Sequence, residues 1–592
     1  MCGIMACRLP GDAAPRLMAG LKLLEYRGYD SAGIAVAADD GTTAVFRTTQ
    51  RVEALAGLVD AWEGPGLGGV GIGHTRWATH GGVCVANAHP HQDCGRRFSV
   101  VHNGIIDNAA PLRSELEQSG HHFASDVDSE VLCHLIEEAQ IACGSLPEAV
   151  ALAVGQLSGS WAFVVLDGTT GRMVATAHGS PLLIAQNGQE TLLASDVSAL
   201  VQWADRYRVL EDGDIVDVAA ETAWTHAGTP IAAPPALACP DRRVRVLEGN
   251  DHTASEIEEQ PDAAARVLEA IGGAVPDGSL WRGLGLPRFD RLRVVACGTS
   301  LYAGQVICAT LSRLGGLAAA PVVASEAAGT VLEPGTLTLA ISQSGETADV
   351  LRAVHESPDG APVLALVNNP DSTLARSVDA VIGYTAGAEI GVAATKTFIC
   401  QVLAGTGLIV SALVDFGRIG PRQAWQLLDE LYGTPERLAA AIAAAKQAVP
   451  AIVHEVRDAS GFLFLGRGSA IPYAMEGALK LKELTYRWAE AYPAGELKHG
   501  PLALVEEGTP VVVIDDGDPR LPGNIAEVGA RGGRTITVGR RGSRIEVPLS
   551  PHAAWGPLEA VVPLQLLALG LADELGRDVD KPRNLAKSVT VD

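Results

Sequence analysis

From about residue 283 onward, the chain alternates short apolar strands with helical segments. Parallel strands need long crossover connections, which are usually helices, so this alternation predicts doubly wound parallel sheets with helices on both faces. The whole chain has 592 residues, too many for a single hydrophobic core. We therefore expect an α/β protein of several domains.

Two strand-to-helix junctions in this half are rich in small hydroxyl residues. Residues 292–296 lead into Cys297-Gly298-Thr299-Ser300, and residues 337–341 lead into the segment 342–347, SQSGET. Free N–H groups and the positive end of a helix dipole can bind an anion there. Neither loop has the lysine of a P-loop or the GxGxxG spacing, so the pattern favours a sugar phosphate over ATP or NAD. Ordinary helix capping is the alternative.

The N-terminus begins Met1-Cys2-Gly3-Ile4. Removal of Met1 would leave Cys2 with a free α-amine beside its thiol. An α-amine has a pKa of roughly 8, so part of it is unprotonated near neutral pH and can act as a base for the thiol. The alternative is an ordinary terminal thiol.

Short strands and glycine-rich turns fill the region up to about residue 218 and predict two packed antiparallel sheets. Between the strands, Asn103 and the Gly104 N–H could stabilise an oxyanion, and Arg76 could grip a carboxylate in bidentate fashion. Asp128, at a predicted helix start, could hold an ammonium group. Together these demands describe an α-amino acid with a carbonyl side chain.

Five histidines in the same region could also suggest a metal site. They lack the helical spacing of a ligand pair, and no carboxylate joins them in register, so we expect orienting hydrogen-bond partners instead. The histidines are His74, His80, His89, His91 and His102.

Four segments resemble the class II, N-terminal-nucleophile glutamine amidotransferase domain: residues 2–4, 26–33, 74–81 and 102–104. The resemblance implies an αββα sandwich that hydrolyses glutamine, with Cys2 as nucleophile and Asn103 with Gly104 as oxyanion hole. The implied glutamine-binding residues are Arg76, Trp77, Thr79, His80, His89 and Asp128.

The two hydroxyl-rich junctions resemble the sugar isomerase (SIS) domain, a doubly wound parallel sheet, and a second such unit begins near residue 453. The implied sugar-phosphate-binding residues are Thr299, Ser300, Ser342, Gln343, Ser344 and Thr347. The family commonly has serine where Ala394 stands, and this departure leaves the identity of the sugar open.

Glu476, Lys480 and Glu483 share one face of a helix predicted over 473–487. Without context, a solvated salt-bridge face is the usual explanation. The segment 494–501 and the tail 583–592 resemble the isomerizing glutamine–fructose-6-phosphate aminotransferase family, which changes that interpretation. The resemblance implies that His499 opens the sugar ring and Lys587 forms a Schiff base. Glu483 would move the proton, supported by Glu476 and Lys480.

A proline-rich stretch from 219 to 251 marks a boundary. We expect an amidotransferase domain at 2–219 and a linker with a connecting helix at 220–282. The expected SIS domains lie at 283–420 and 453–583, with connecting helices at 421–452 and a catalytic tail at 584–592.

The net charge of −24 argues against nucleic acid as a partner. Ten cysteines without paired spacing, and no signal peptide, predict a reduced, cytoplasmic protein. The apolar stretch 398–414 is interpreted as a buried helix, not a membrane span. We expect glutamine and fructose 6-phosphate as substrates, a homodimer, and no metal or cofactor. The alternatives are an enzyme acting on another ketose phosphate and a sugar-phosphate-binding regulator that has lost catalysis.

Overall fold

The computed structural model describes residues 2–78, 80–219, 221–239, 251–358, 360–550 and 554–589. Contacts divide the described chain into two compact units. The first takes in residues up to Cys239 together with 588–589, and the second runs from residue 251 to Lys587. The predicted glutamine-binding residue Thr79 lies outside the described residues.

The first unit is built from two antiparallel sheets. Its strands are β1 (Gly3–Arg8), β2 (Ser31–Ala38), β3 (Thr43–Thr48), β4 (Leu67–Arg76), β5 (His91–Gln92), β6 (Phe98–Ile106), β7 (Gly159–Asp167), β8 (Arg172–His178), β9 (Leu183–Asn187), β10 (Glu190–Ala194), β11 (Arg206–Val209), β12 (Asp214–Val218), β13 (Thr222–His226), β14 (Thr229–Ile231) and β15 (Leu237–Ala238). One sheet has the order β15-β11-β9-β10-β1-β4-β2-β3 and the other β14-β13-β12-β8-β7-β6-β5.

Helices cover the outer faces of both sheets. They are α1 (Ala14–Leu24), α2 (Glu53–Asp60), α3 (Ala109–Gln118), α4 (Glu130–Cys143) and α5 (Leu146–Val154). Strand β1 shows the layering: Met5 and Cys7 pack with α1, whereas Ile4 and Ala6 pack with residues of the second sheet. Alternate side chains of a strand point to opposite faces, so β1 is buried on both sides. The αββα sandwich predicted from the sequence is confirmed.

The first unit extends further than the boundary at residue 219 predicts. Strands β13 and β14 continue the second sheet, and β15 pairs with β11 in the first. The prolines that suggested a linker are compatible with this, because Pro230 lies in the edge strand β14, where a missing N–H costs no ladder bond.

The second unit contains two five-stranded sheets, in which each strand pairs in parallel with its neighbours. The strands are β16 (Arg291–Ala296), β17 (Ala318–Val323), β18 (Thr336–Ser342), β19 (Val363–Val367), β20 (Ala380–Gly383), β21 (Gly461–Gly466), β22 (Trp488–Pro493), β23 (Pro510–Asp515), β24 (Arg534–Gly539) and β25 (Ile545–Glu546). The sheet orders are β17-β16-β18-β19-β20 and β22-β21-β23-β24-β25. This confirms the two predicted doubly wound domains.

Most helices of this unit pack in one continuous core, and two smaller cores lie on other faces of the two sheets. They are α6 (His252–Glu258), α7 (Gln260–Ile271), α8 (Ser279–Gly283), α9 (Gly298–Gly315), α10 (Ala348–His355), α11 (Thr373–Arg376), α12 (Lys396–Asp415), α13 (Pro421–Tyr432), α14 (Thr434–Val456), α15 (Ile471–Thr485), α16 (Leu521–Gly529) and α17 (Val561–Glu574). The connecting helix predicted within residues 220–282 is two helices, α6 and α7, which begin at His252 and end at Ile271.

Helix α12 is long and apolar enough to cross a membrane, but 94% of its apolar window is buried inside the protein. It packs against α7, α8 and α9, in the hydrophobic core that also contains strands of the first parallel sheet. The interpretation of 398–414 as a buried helix is confirmed.

Candidate active site

Cys2 lies at the start of β1, beside the end of β4. Its Sγ accepts a hydrogen bond from the Trp77 N–H at 3.3 Å. Burial raises the pKa of the Cys2 thiol, whereas the Trp77 N–H and the Arg76 guanidinium act to lower it. Because the raised pKa leaves the thiol protonated near neutral pH, the nucleophile needs a neighbouring base.

The Asn103 side chain on β6 faces Cys2 and has a fixed orientation. Its Nδ2 donates to the Cys2 carbonyl at 3.1 Å, and its Oδ1 lies 3.1 Å from His74 Nε2. The same Nε2 lies 2.9 Å from the His102 carbonyl, which can only accept, so this nitrogen carries the proton. His74 therefore holds the Asn103 oxygen away and turns its amide N–H groups towards Cys2.

Gly104 follows Asn103 and has a φ of +127°. A Cβ at this position would lie 2.1 Å from the Ser160 carbonyl oxygen, so both the backbone conformation and the space require glycine.

Arg76 is buried at the end of β4, where it supports the loop that follows. Its guanidinium donates to the carbonyls of His80 and Gly81, and the His80 side chain itself is exposed. Asp128 precedes α4 by two residues, slightly outside the helix start that the sequence predicted, and its Oδ2 accepts from the Ile106 N–H at 2.9 Å. Trp77 is half-buried against Tyr29.

His89 lies deeper than a ligand-binding residue should. Its ring stacks between His74 at 4.1 Å and His91 at 4.5 Å, and neither of its nitrogens has a hydrogen-bond partner among the described residues. Burial lowers the pKa of His74 and of His91 to about 3 and that of His89 well below its ordinary value. The neutral His89 ring packs directly against His74, and the neutral His91 ring packs against His89 on the other side.

This stack makes the stability of the protein sensitive to acid. The unfolded chain binds protons at these histidines below about pH 6.5 and the folded chain does not, so each ring lowers the free energy of unfolding by about 1.4 kcal/mol per pH unit as the pH falls. In urea titrations of the full chain, we expect His89→Phe to flatten the loss of stability between about pH 7 and about pH 5.5. His178→Gln, at a half-exposed side chain, should keep the wild-type slope. An unchanged slope in His89→Phe would contradict this account.

The two predicted phosphate loops lie side by side, because β16 and β18 are neighbours in the sheet. Helix α9 begins after β16, and α10 begins shortly after β18. Neither helix is capped by a side chain among the described residues. The Thr347 hydroxyl instead lies 2.9 Å from the Ser342 hydroxyl, which also accepts from the Gly345 N–H. The N–H groups in the first turns of α9 and α10 are therefore not occupied by a side-chain cap from the described residues.

Ser300 and Thr299 open the first turn of α9, while Gln343 and Ser344 lie half-buried in the second loop. The Ser300 hydroxyl accepts from Gln401 Nε2 at 3.0 Å, and the Thr299 hydroxyl accepts from Lys480 Nζ at 3.0 Å. The second contact links the first phosphate loop to α15 of the second sheet.

The predicted charged face of α15 is buried and is not a solvated salt-bridge face. Lys480 Nζ lies 2.7 Å from Glu483 Oε2 and 3.5 Å from Glu476 Oε1, and the Lys480 side chain is only 1% exposed. Burial raises the pKa of Glu476 to about 8. The pKa of Lys480 is raised by both carboxylates, against the opposing effect of burial.

Lys587 is buried in the C-terminal segment of the second unit. Its ammonium pairs with Glu389 and donates to the Gly391 carbonyl at 2.7 Å. Burial acts to raise the pKa of Glu389, yet the Lys587 charge holds it below its ordinary value. Glu389 also raises the pKa of Lys480, so the tail lysine and the α15 face belong to one electrostatic cluster.

His499 is not brought into this cluster. It ends a short 3-10 helix, Ala494–His499, and is exposed. Its side chain forms no hydrogen bond or ion pair with the part of the chain that the structure describes.

Sequence reasoning gave no role to two residues that organise these sites, Glu389 and Gln401. For His74, the hydrogen bond to Asn103 agrees with the expectation of orienting histidines, but only the fold shows that its partner is Asn103 and that Glu389 pairs with Lys587.

Comparisons with known proteins agree with both halves of this description. A model of the glutamine amidotransferase domain matches residues 75–202, and a model of the SIS domain matches residues 288–411 and 455–541. The chain is 42% identical to the glutamine–fructose-6-phosphate aminotransferase (isomerizing) of Thermus thermophilus and 39% identical to that of Aeropyrum pernix. Each alignment covers 100% of both chains.

The second unit also resembles a solved structure, the C-terminal domain of glucosamine-fructose-6-phosphate aminotransferase from Francisella tularensis. The TM-score is 0.52 at 33% identity, over 57% of this chain and 99% of that one. The chain therefore belongs to the family of isomerizing glutamine–fructose-6-phosphate aminotransferases.

Proposed function

We propose that this chain transfers the amide nitrogen of L-glutamine to D-fructose 6-phosphate, giving D-glucosamine 6-phosphate and L-glutamate. The observation that carries the proposal is the ion pair between the buried side chains of Lys587 and Glu389, in the same unit as the α15 carboxylates. A glutaminase alone would have no use for a buried lysine in its last residues, whereas a ketose-binding site uses one for a Schiff base.

In the first step, the Cys2 α-amine takes the thiol proton and the sulfur attacks the glutamine amide carbon. Asn103 Nδ2 and the Gly104 N–H stabilise the oxyanion, Arg76 and Asp128 hold the substrate's carboxylate and ammonium, and the C–N bond breaks. Ammonia leaves with a proton, and water releases glutamate from the thioester. In this proposal Trp77 gates the path by which ammonia leaves, Thr79 and His80 complete the glutamine site, and the buried His89 supports it through His74.

In the second step, the hydroxyl-rich loops hold the sugar phosphate, and His499 assists ring opening. Lys587 condenses with the C2 ketone and loses water, after giving up its ammonium proton. Glu389, the buried carboxylate paired with that ammonium, is placed to receive this proton. Ammonia then displaces the lysine at C2. Glu483 moves a proton from C1 to C2, which converts the ketose into a 2-amino aldose, while Lys480 and Glu476 stabilise the charge that develops.

We further propose a homodimer in which His499 completes the site of the partner subunit. The exposure of His499, and the absence of hydrogen bonds and ion pairs between its side chain and other described residues of its own chain, support this arrangement. The proposed domains are those of the sequence analysis, with the amidotransferase domain extended to include β13–β15. None of the ten cysteines, all of which lie in described segments, forms a disulfide, which supports a reducing, cytoplasmic location.

Another ketose phosphate remains a second candidate substrate because of Ala394, half-buried one residue before Thr395, which precedes α12. The test is to incubate the purified chain with glutamine and each of several ketose phosphates and to measure glutamate and amino-sugar phosphate. Product from fructose 6-phosphate supports the proposal, and product only from another ketose would contradict it. Glutamate without any amino sugar would contradict both.

Asn103→Ala should lower kcat for glutamine hydrolysis by about 10²–10³-fold, because it removes an oxyanion donor. Glutamine binding, measured by calorimetry, should change much less. Asn187→Ala, an exposed asparagine on β9, serves as the matched control and should keep full activity. If Asn103→Ala instead weakened glutamine binding and left kcat unchanged, Asn103 would contact the bound substrate and not the oxyanion.

A further inference from the structure

A cluster of four potential metal ligands lies in the first unit, outside the glutamine site. It consists of Cys94, His121, His134 and Glu137, whose ligand atoms all lie within 4.8 Å of one another. Cys94 is in the turn between β5 and β6, His121 follows α3, and the other two are on α4 at i and i+3. The long sequence separations hide this set from any search for paired cysteines or histidines, and the sequence analysis predicted no metal.

The distances within the cluster match those around a tetrahedral ion. Cys94 Sγ lies 3.6 Å from Nδ1 of His121 and 3.6 Å from Nδ1 of His134. Glu137 Oε2 lies 3.0 Å from His121 Nδ1 and 3.4 Å from His134 Nδ1. With Zn–S of about 2.3 Å and Zn–N or Zn–O of about 2.0–2.1 Å, a tetrahedral site has S···N edges of about 3.5–3.6 Å and N···O edges of about 3.3 Å.

The far nitrogen of each imidazole faces a carboxylate, as is usual for metal-bound histidines. His121 Nε2 lies 3.3 Å from Glu138 Oε1, and the buried His134 Nε2 lies 3.8 Å from Glu130 Oε1. Glu138 favours the His121 tautomer whose Nδ1 is free to bind a cation, whereas Glu130 is too far from His134 for a hydrogen bond and acts on that ring only through its charge. The Cys94 sulfur also accepts the His122 N–H at 3.4 Å, a contact that stabilises a thiolate.

A purely ionic cluster would explain less. Glu137 alone would satisfy a protonated histidine, but it would not place a thiol sulfur at equal distance from two imidazole nitrogens. A thiolate, two imidazoles and one carboxylate are all ligands that zinc accepts, and a closed set of four protein ligands is the arrangement of structural zinc sites.

We propose that Cys94, His121, His134 and Glu137 bind one zinc ion that fastens three segments of the amidotransferase domain together. Binding converts the Cys94 thiol to a thiolate and releases one proton to solvent, with no change in oxidation state. The ion would join two segments next to predicted glutamine-site residues. One is the turn that leads into β6, the strand of Asn103, and the other is α4, which begins just after Asp128. The role of the ion is structural, since four protein ligands leave no position for a substrate.

The test uses the full chain, without a polyhistidine tag, purified from zinc-containing medium without chelators. Mass-spectrometric metal analysis should find one zinc per chain in the wild type. Cys94→Ser and His121→Ala should lower the zinc content to below about a tenth, since each removes a ligand. Cys84→Ser, which changes another exposed cysteine, should keep it. Glu138→Gln should weaken zinc binding by about 10-fold or more through His121.

Cobalt(II) provides a second readout that is independent of enzyme activity. The cobalt-loaded wild type should show a thiolate-to-cobalt charge-transfer band that disappears in Cys94→Ser and persists in Cys84→Ser. Circular dichroism checks that each variant is folded. Absence of zinc from the wild type even after dialysis against zinc, or zinc retained in folded Cys94→Ser, would overturn the proposal.

Discussion

Replacing Cys2 by alanine is expected to lower glutamine-dependent amino-sugar formation at least about a thousandfold, because removing a covalent nucleophile typically costs this much or more. The thiol is the group held by the Trp77 N–H and faced by Asn103. Sugar-phosphate binding, measured by calorimetry with fructose 6-phosphate, should remain close to wild type, because the phosphate loops belong to the other unit.

The control for this experiment is Cys84→Ala, which changes an exposed cysteine in the same domain. It should synthesise product at a rate near that of the wild type. A Cys2→Ala protein that still makes product from glutamine would disprove the assignment of the nucleophile. Loss of sugar-phosphate binding would instead indicate a general folding defect.

Replacing Lys587 by methionine should lower amino-sugar formation as strongly as Cys2→Ala does, while glutamine hydrolysis continues. The Lys587 side chain is only 3% exposed, and its ammonium pairs with the fully buried Glu389 side chain. Methionine removes the amine but leaves Glu389 buried without its partner, which adds a stability cost of about 3–5 kcal/mol. Lys587→Arg keeps the charge and cannot form a Schiff base, so it separates chemistry from stability.

Both Lys587 variants should therefore fail to form the amino sugar, and only the methionine variant should have a lower free energy of unfolding. Borohydride reduction in the presence of fructose 6-phosphate should attach the sugar to the peptide that contains Lys587. Lys482→Met, at an exposed lysine on α15, is the matched control and should retain activity and the adduct. An active Lys587→Arg enzyme, or an adduct on another lysine, would contradict the assignment.

Periodicity and turn residues were enough to predict the architecture. The alternation of short apolar strands with helical segments, and the strand-to-helix junctions after β16 and β18, follow from local geometry, which short segments encode. The end of the first unit was missed because β13–β15 are short and contain prolines. An edge strand such as β14 tolerates them, and this depends on its sheet neighbours, which a local pattern does not reveal.

The site was predictable only for residues whose type and local segment already indicate their chemistry. Cys2 and Asn103 stood out by residue type, but the orienting role of His74 depends on a hydrogen bond between strands of the two different sheets, β4 and β6. Likewise, Glu389 looked like an ordinary carboxylate until the fold buried it against a lysine 198 residues away. The Cys94 cluster was missed for the same reason, since its ligands come from three separate segments.

The most direct test of the central claim follows the nitrogen itself. The enzyme is given glutamine labelled with nitrogen-15 in the amide, fructose 6-phosphate, and a large excess of unlabelled ammonium in the buffer. The account predicts amino-sugar phosphate that carries nitrogen-15 at C2 with nearly full enrichment, and labelled product should be lost in Cys2→Ala. Product that carries mainly unlabelled nitrogen, or labelled ammonia without any labelled amino sugar, would contradict it.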